Sequence, residues 1–500
     1  MSQKEKPGSP DRRNFMKATA TGAGILALSG IAPRLADAQA LPAKWGAETD
    51  VVVLGAGGGG LFAAIEAAAA GAKVILLEST PAIGGSSAIC GGDIVFAGTD
   101  LQKEKGIEDS NKLLYADFMK AGKSRNVPEM VQTYVDNQLE TYEHLKKLGV
   151  TYKAVVQGEG SVPRSHRTNP AELIAILKKE ADRLGVRTRV ESPATRLVTN
   201  AEGRVVGVLA AQGGKEIAIG ARRGVVVATG GFSNNPELLD ELKVGFSKVR
   251  SMAAPGCRGD GFIMLAKMGA HMRDLPSLKA SFSQHPKSKP GKRQPVNTYR
   301  VGSIIINKHG KRFVNEGLGH KDLPEFVLKQ PDGISYEVFD SKIAPQAATK
   351  SMMIKQEDLE LWGIKADTLD ELAAKAGVPA DALKDSVARY NQYVDAGKDP
   401  DFGRDGLIGH VGKLIKIDAP PFYLIEGICA ILGTYCGAQV NGKAQVLDVY
   451  GQTIPGLYAA GEVLGGLHGD GYIGGTAFGK ALIFGRLAGK NAAATAAKKK

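Results

Sequence analysis

The sequence predicts an α/β protein: a two-part Rossmann-like domain interrupted by an α+β capping domain. Three observations carry this expectation. A glycine fingerprint, Gly55-Ala56-Gly57-Gly58-Gly59-Gly60, follows an all-apolar run early in the chain. A second glycine-rich strand-turn segment, Pro455-Gly-Leu-Tyr-Ala-Ala-Gly461-Glu462, lies near the far end. Between them, residues 275–420 change character, with more charge, short strands and helical periodicity.

Each element has a local reason. Thr49–Leu54 is almost entirely apolar, as a parallel strand buried on both faces must be. The glycine turn opens an alanine-rich helix from Leu61 to Ala70, and Lys73–Leu77 forms a second strand ending at Glu78. That makes a βαβ unit of about thirty residues with its acid near the expected interval after the glycines. Residues 101–185 read as helices and connections. Leu197–Val208 reads as a hairpin turning on Glu202-Gly203, and Arg223–Ala228 as a buried strand entering the glycine turn Gly230-Gly231. In the insertion, Ser303–Ile306 is a short strand, and Leu369–Ala376 and Ala380–Tyr393 are helices. The chain then returns to sheet over 421–476 and closes with the helix Ala477–Lys490. The domain boundaries expected are 39–274, 275–420 and 421–500, the first and last forming one unit.

The 500 residues, 43% hydrophobic and 23% charged, suit a soluble globular protein of several domain-sized units. A net charge of +12 raises nucleic acid as a partner. No basic aromatic platform, zinc spacing or arginine-rich arm accompanies it, so nucleic acid is not expected. The four cysteines show no spacing that forces a bridge, and the sequence has no C-x-x-C-H for covalent haem and no metal-ligand cluster. Residues 1–38 read as an export signal rather than structure. Arg12-Arg13-Asn14-Phe15-Met16-Lys17 resembles a twin-arginine motif, although Asp11 stands where Ser or Thr is usual. A mild apolar run to Ile31 and the small residues Ala36-Asp37-Ala38 follow. The run is too short and too interrupted to span a membrane. The expectation is a periplasmic protein with no membrane span after cleavage.

One cofactor gripped by both ends of the chain points to FAD. Only glycine lets the backbone approach a pyrophosphate at a helix N-terminus, which assigns Gly55, Gly57 and Gly60 to that contact, with Ala56 as a cofactor-binding residue of the same turn. Glu78, at the carboxyl end of its strand, would accept hydrogen bonds from the adenosine ribose. Ile83-Gly84-Gly85-Ser86-Ser87 and Gly91-Gly92 come next. With Thr229-Gly230-Gly231, Gly259-Asp260-Gly261, Gly310–Glu316, Tyr390-Asn391, Asp401–Arg404 and Gly456–Glu462, they resemble the flavoprotein subunits of fumarate reductase and succinate dehydrogenase and the related 3-ketosteroid dehydrogenases. The resemblance covers about 48–495. It implies a cap over the flavin and the active site at the domain junction. It also implies cofactor contacts at Ser79, Asp93, Ala194, Asp260, Gly461, Ala477, Ala481 and Leu482. Glu462 would hold the ribityl chain, and the last helix would point its positive end at the isoalloxazine. Residues 84–95 contain no histidine, so noncovalent FAD is expected.

The catalytic residues match the resemblance unevenly. Gln284-His285-Pro286 matches one family histidine loosely, and Leu467-His468-Gly469 matches another well. Two arginines do not match. Where the family places a proton-donating arginine after Asn315-Glu316, this chain has Gly319-His320-Lys321. Where it writes a carboxylate-binding arginine, this chain has Tyr472-Ile-Gly474-Gly475-Thr476. Tyrosine lacks the charged fork that holds a carboxylate. The Tyr-x-Gly-Gly-Thr segment is closer to ketosteroid dehydrogenases, which assigns Tyr472 and the Gly475 N–H to a ketone oxygen. His285, His320 and Tyr299 are the candidates for proton transfer. The leading expectation is an FAD oxidoreductase that forms or reduces a C=C bond beside a ketone. The alternative is an enoate reductase of fumarate or urocanate type, fed by a separate cytochrome. Arg164, Arg167, Arg293 or Arg300 would then meet the carboxylate. A third reading is a flavin-bearing electron carrier or a partner subunit without a substrate of its own.

Overall fold

The computed structural model describes residues 41–42, 44–275, 278–288, 294–349, 354–407 and 412–497. The expected export signal, Arg293 and the terminal lysines lie outside the described residues.

The cofactor domain is built on one sheet. Its main path runs Gln445–Leu447, Thr453–Ala459, Lys215–Val227, Ala47–Leu54, Val74–Leu77, Arg187–Arg189. The last five of these pair in parallel, and Gln445–Leu447 closes one edge antiparallel. Val51, Val52 and Val53 are fully buried, which explains the uninterrupted apolar run that marked the first strand. The expected hairpin forms as Ala194–Thr199 against Val205–Gln212, which in turn pairs with Lys215–Val227. The late strand Thr453–Ala459 adds beside Lys215–Val227, with Leu457, Tyr458 and Ala459 opposite Val225, Val226 and Val227. Both glycine-rich turns therefore leave the same end of one sheet.

Two helices complete the grip. The fingerprint helix Gly58–Ala69 packs against the last helix, Thr476–Ala494, at backbone contact. A Cβ on Gly485 would lie 2.3 Å from the Gly59 carbonyl oxygen, and one on Gly489 would lie 2.0 Å from that of Ala63. Small residues are required at this crossing because no side chain fits between the helices.

The cap has its own six-stranded sheet, centred on Ile334–Asp340 and Phe422–Ile431 in antiparallel register. Ile304–Ile306 pairs with the first of these. Ser281–Gln284, Ile364–Ala366 and Arg250–Ser251 pair with the second. Val338, Leu424 and Ile425 form its core with Leu383 and Val387 from the helix Ala380–Ala396. Two expected boundaries change here. Phe422–Ile431, assigned by sequence to the returning cofactor domain, is the central strand of the cap. Arg250–Ser251, assigned to the first part, pairs with the same strand. An apolar strand signals burial but not which sheet buries it. All four cysteines are free thiols.

The helix crossing is testable. Gly489→Val should lower unfolding stability by about 1–3 kcal/mol through overpacking, read from the urea midpoint. Lys490→Ala, on the exposed side of the same turn, should stay within about 0.5 kcal/mol.

Candidate active site

A large cavity of about 950 Å³ runs from the fingerprint to the junction with the cap. This is at the upper end of the roughly 300–1,000 Å³ expected of ligand sites.

At one end the backbone forms an anion cradle. Gly55 turns at φ +95°, and a Cβ on Gly60 would lie 1.8 Å from the Gly55 carbonyl oxygen, so neither position admits a side chain. Glu78 is fixed by its surroundings: Oε2 accepts from the Ala56 N–H at 2.8 Å, and Oε1 accepts from the Thr80 N–H at 2.9 Å and the Thr80 hydroxyl at 2.8 Å. Ser87 Oγ accepts from the Gly58 N–H at 3.0 Å, capping the first turn of the fingerprint helix. Ser86 Oγ accepts from the Ala254 N–H at 3.1 Å. Further along the wall, Glu462 Oε1 accepts from the Thr434 N–H at 2.8 Å. Gly475 turns at φ +98° to start the last helix, so that Gly475 and Ala477 present its positive end to the cavity. Two buried anion sites, a ribose-competent acid and an open slot between them fit a flavin dinucleotide. The backbone N–H groups would donate to its pyrophosphate, and Glu78 would accept from its ribose hydroxyls.

At the other end stand Tyr472, Tyr435, His320, Arg300 and Glu159. Glu159 Oε1 lies 2.8 Å from His320 Nδ1 and 3.5 Å from Arg300 Nη2, and its Oε2 accepts from the Gly474 N–H at 2.8 Å. Burial alone would raise the Glu159 carboxyl, but His320 and Arg300 beside it hold it well below the usual carboxylate range. Burial depresses His320, and Glu159 opposes that shift. Arg167 pairs with Asp93 through Nε at 2.8 Å and Nη2 at 3.1 Å. Tyr435, at φ +60°, turns its ring to 5.0 Å from that of Tyr472 and 5.2 Å from that of His468.

Most expected cofactor residues stand on the cavity wall: Gly55, Gly57, Glu78, Ser79, Gly85, Ser86, Ser87, Gly91, Asp93, Ala194, Thr229, Gly230, Asp260, Gly461, Glu462, Gly475, Ala477 and Ala481. Ala56, Gly60, Gly84, Gly92, Gly231 and Leu482 stand behind it and shape it. A Cβ on Gly92 would meet the Thr168 carbonyl oxygen at 2.1 Å, and one on Gly231 would meet Glu462 Oε1 at 2.2 Å.

The proton-transfer candidates divide. His320 and Tyr472 face the cavity. His285 does not. Its ring stacks on Trp362 at 4.2 Å inside the cap, Nδ1 accepts from the Lys287 N–H at 3.1 Å, and burial lowers its pKa to about 4. Tyr299 is fully buried behind Arg300, its hydroxyl accepting from Arg300 Nε at 3.3 Å. His468 lies behind Tyr472, its ring 5.2 Å away, and burial keeps it neutral. Of the arginines considered, Arg164 is committed to Asp109 and Asp117, while Arg167 and Arg300 reach the wall. Sequence reasoning missed Glu159 and Tyr435. Glu159 sits in a Gln-Gly-Glu-Gly-Ser loop with no periodicity or motif. Tyr435 owes its orientation to a left-handed backbone that only the fold supplies.

A dinucleotide cradle joined to a capped, polar reaction chamber defines an FAD-dependent oxidoreductase, and the comparisons agree. Residues 50–477 match the family described as FAD binding domain, and the chain belongs to it. It is similar to a probable fumarate reductase of Shewanella frigidimarina, 34% identical over 462 residues covering 90% of this chain and 76% of that one. Among solved structures, the open conformation of a flavocytochrome c3 fumarate reductase aligns with a TM-score of 0.78 at 30% identity, over 99% of this chain and 83% of that one. A 3-ketosteroid-Δ4-(5α)-dehydrogenase from Rhodococcus jostii RHA1 aligns with a TM-score of 0.73 at 28% identity, over 90% and 98%. The protein is an FAD enzyme of the CH–CH class, related to reductases and dehydrogenases alike.

Gly60→Ala should cost the protein its flavin, because the added methyl group would collide with the Gly55 carbonyl. The measurement is the ratio of flavin to protein absorbance after purification, expected to fall nearly to zero.

Proposed function

We propose that the enzyme forms or reduces the C=C bond beside a ketone carbonyl in a neutral substrate, after export to the periplasm. The observation that carries this reading is the charge of the cavity wall. Its only permanent cations among the described residues are Arg167 and Arg300, and each already faces a carboxylate, Asp93 and Glu159 respectively. A dicarboxylate needs two uncommitted cationic forks, because burying an unpaired carboxylate is costly. A ketone needs hydrogen-bond donors and a stabilised enolate. Tyr472 stands on the wall beside the Gly474-Gly475 turn at the start of the last helix, which suits that task.

FAD, held by the cradle and by the start of the last helix, would supply hydride exchange at the β-carbon. The chain's own residues do the rest. Tyr472 orients the carbonyl and opposes the charge that develops on its oxygen. His320 exchanges the proton at the α-carbon, and the cap excludes water. The likeness to a flavocytochrome supports a cytochrome as the electron carrier. Among the described residues no helix is long and apolar enough to cross a membrane.

A second reading, enoate reduction, draws on the fumarate reductase likeness and on Arg300 at the wall. The two separate on one assay. The flavin is reduced anaerobically, and 2-cyclohexenone or fumarate is added as acceptor. Fast reoxidation by the enone and none by fumarate is expected, and the opposite pattern would exclude the ketone reading. Tyr472→Phe should retain flavin and lose roughly 10²–10³-fold in turnover, the cost of one lost oxyanion donor.

A further inference from the structure

We propose that Glu159 is a positioning residue that makes His320 the proton carrier of the site, and that this pair is completed only when the cap sits on the cofactor domain. The inference rests on the enone reading for the reaction it serves. Its basis is the geometry of Glu159.

Glu159 belongs to the loop between the short strands Ala154–Val156 and Ser165–Arg167, on the cofactor side. His320 and Arg300 come from the cap, and Gly474 from the segment entering the last helix. Three distant parts of the chain converge on one partly buried carboxylate. His320 Nδ1 has two neighbours, Glu159 Oε1 at 2.8 Å and Arg300 Nη2 at 3.1 Å. Arginine can only donate, and an ionised carboxylate can only accept. A 2.8 Å contact with the carboxylate requires a proton between them, so Nδ1 carries the hydrogen and donates it to Glu159. Arg300 then serves the same carboxylate rather than the imidazole. The ring's other nitrogen, Nε2, is the one left to face a substrate in the cavity that His320 lines. The carboxylate thus fixes the tautomer, orients the ring and stabilises the imidazolium, as a carboxylate behind a histidine commonly does.

The balance is simple. In reduction the substrate's β-carbon takes the hydride, and its α-carbon takes the proton from His320 Nε2. The N–H bond breaks, a C–H bond forms, and the imidazole is left neutral. In dehydrogenation neutral His320 takes that proton back. Reduction therefore needs the imidazolium, and dehydrogenation the neutral ring.

The charged and titratable groups facing His320 are Glu159 from the loop, Arg300 from the cap turn, its neighbour Lys321, and Tyr472, whose ring is 5.8 Å away. Only Glu159 favours the imidazolium, while Arg300, Lys321 and burial oppose it. Removing that charge should make His320 lose its proton at lower pH. Reductive turnover, which falls as the imidazolium is lost, should then fail earlier as pH rises.

The test uses the FAD-loaded full chain, reduced methyl viologen as donor and 2-cyclohexenone as acceptor. Glu159→Gln keeps an acceptor oxygen and removes the charge. Its alkaline limb in reduction should move down by at least one pH unit, with turnover at pH 8 about tenfold lower and largely recovered at acidic pH. Glu159→Asp, which keeps the charge, should leave the limb near that of the native enzyme. A Glu159→Gln profile lowered equally at every pH, with the limb unmoved, would reduce Glu159 to a structural residue and overturn the proposal. If Glu159→Gln fails to hold flavin, Glu159→Asp decides alone: an unmoved limb supports the proposal, and a limb shifted as far as one unit overturns it. His320→Asn with full turnover would also overturn it. No turnover of any enone by the native enzyme would instead defeat the underlying reading.

Discussion

The structure depends on one close contact, the backbone crossing between the fingerprint helix Gly58–Ala69 and the last helix Thr476–Ala494. Gly485 lies over Gly59, and Gly489 over Ala63, without room for a Cβ. A larger residue at either would push the last helix outward. Gly475, Ala477 and Ala481 would leave the wall of the cofactor cavity with it. The crossing therefore does more than pack a core. It sets the distance between the first phosphate cradle and the second helix N-terminus, the two fixed positive ends that a flavin dinucleotide must bridge.

A second constraint holds the cap side of the site. Glu316 is fully buried between Arg312, at 2.8 Å, and Arg404, at 3.2 Å, with Asp399 2.9 Å from Arg312. Arg404 also donates to the carbonyls of Ser303 at 3.0 Å and Tyr299 at 3.3 Å. Such a cluster contributes little net stability compared with apolar packing, since desolvating the charges costs nearly what pairing them returns. Its effect here is positional. It fixes the turn Thr298–Val301, which carries Arg300 into the cavity, and anchors the segment that leads four residues on to His320. Asn315-Glu316 and Asp401–Arg404, first noticed as sequence motifs, hold reactive groups without touching the cavity themselves.

What was legible in the sequence follows from how each feature is encoded. The βαβ unit, the returning strand and the last helix are local patterns with steric requirements, and they appear nearly where periodicity put them. Gly55, Gly60 and Glu78 were legible because backbone geometry and strand ends admit few alternatives. The cap boundary was not, since Phe422–Ile431 is apolar in a way that fits either sheet. His285 was misplaced for a similar reason: a histidine before proline carries no sign of the Trp362 ring that will cover it. Glu159 was invisible because its role arises from convergence across the chain, 161 residues from His320 and 315 from Gly474. Sequence patterns report periodic burial and backbone exceptions. They do not report which lone polar side chain three distant segments will share.

The glycine-rich end of the chain shows how grip and selectivity can separate within a few residues. Gly461, Glu462 and Gly475 belong to the cofactor wall, while Tyr472 faces the reaction chamber between them. Tyr472 is not isolated there. Tyr435 and His468 hold its ring from two sides, and the Lys321 ammonium lies 4.3 Å from the centre of the Tyr435 ring and 5.7 Å from that of Tyr472. Burial keeps His468 neutral and Arg300 is paired with Glu159, so the positive potential behind Tyr472 comes from Lys321 behind the aromatic rings and from the helix terminus beyond Gly475. A charge set behind a phenol attracts electron density that builds up during reaction more than it attracts an anion already present on arrival, because the rings keep the anion at a distance. That arrangement suits a carbonyl oxygen becoming an enolate better than a carboxylate that is charged throughout.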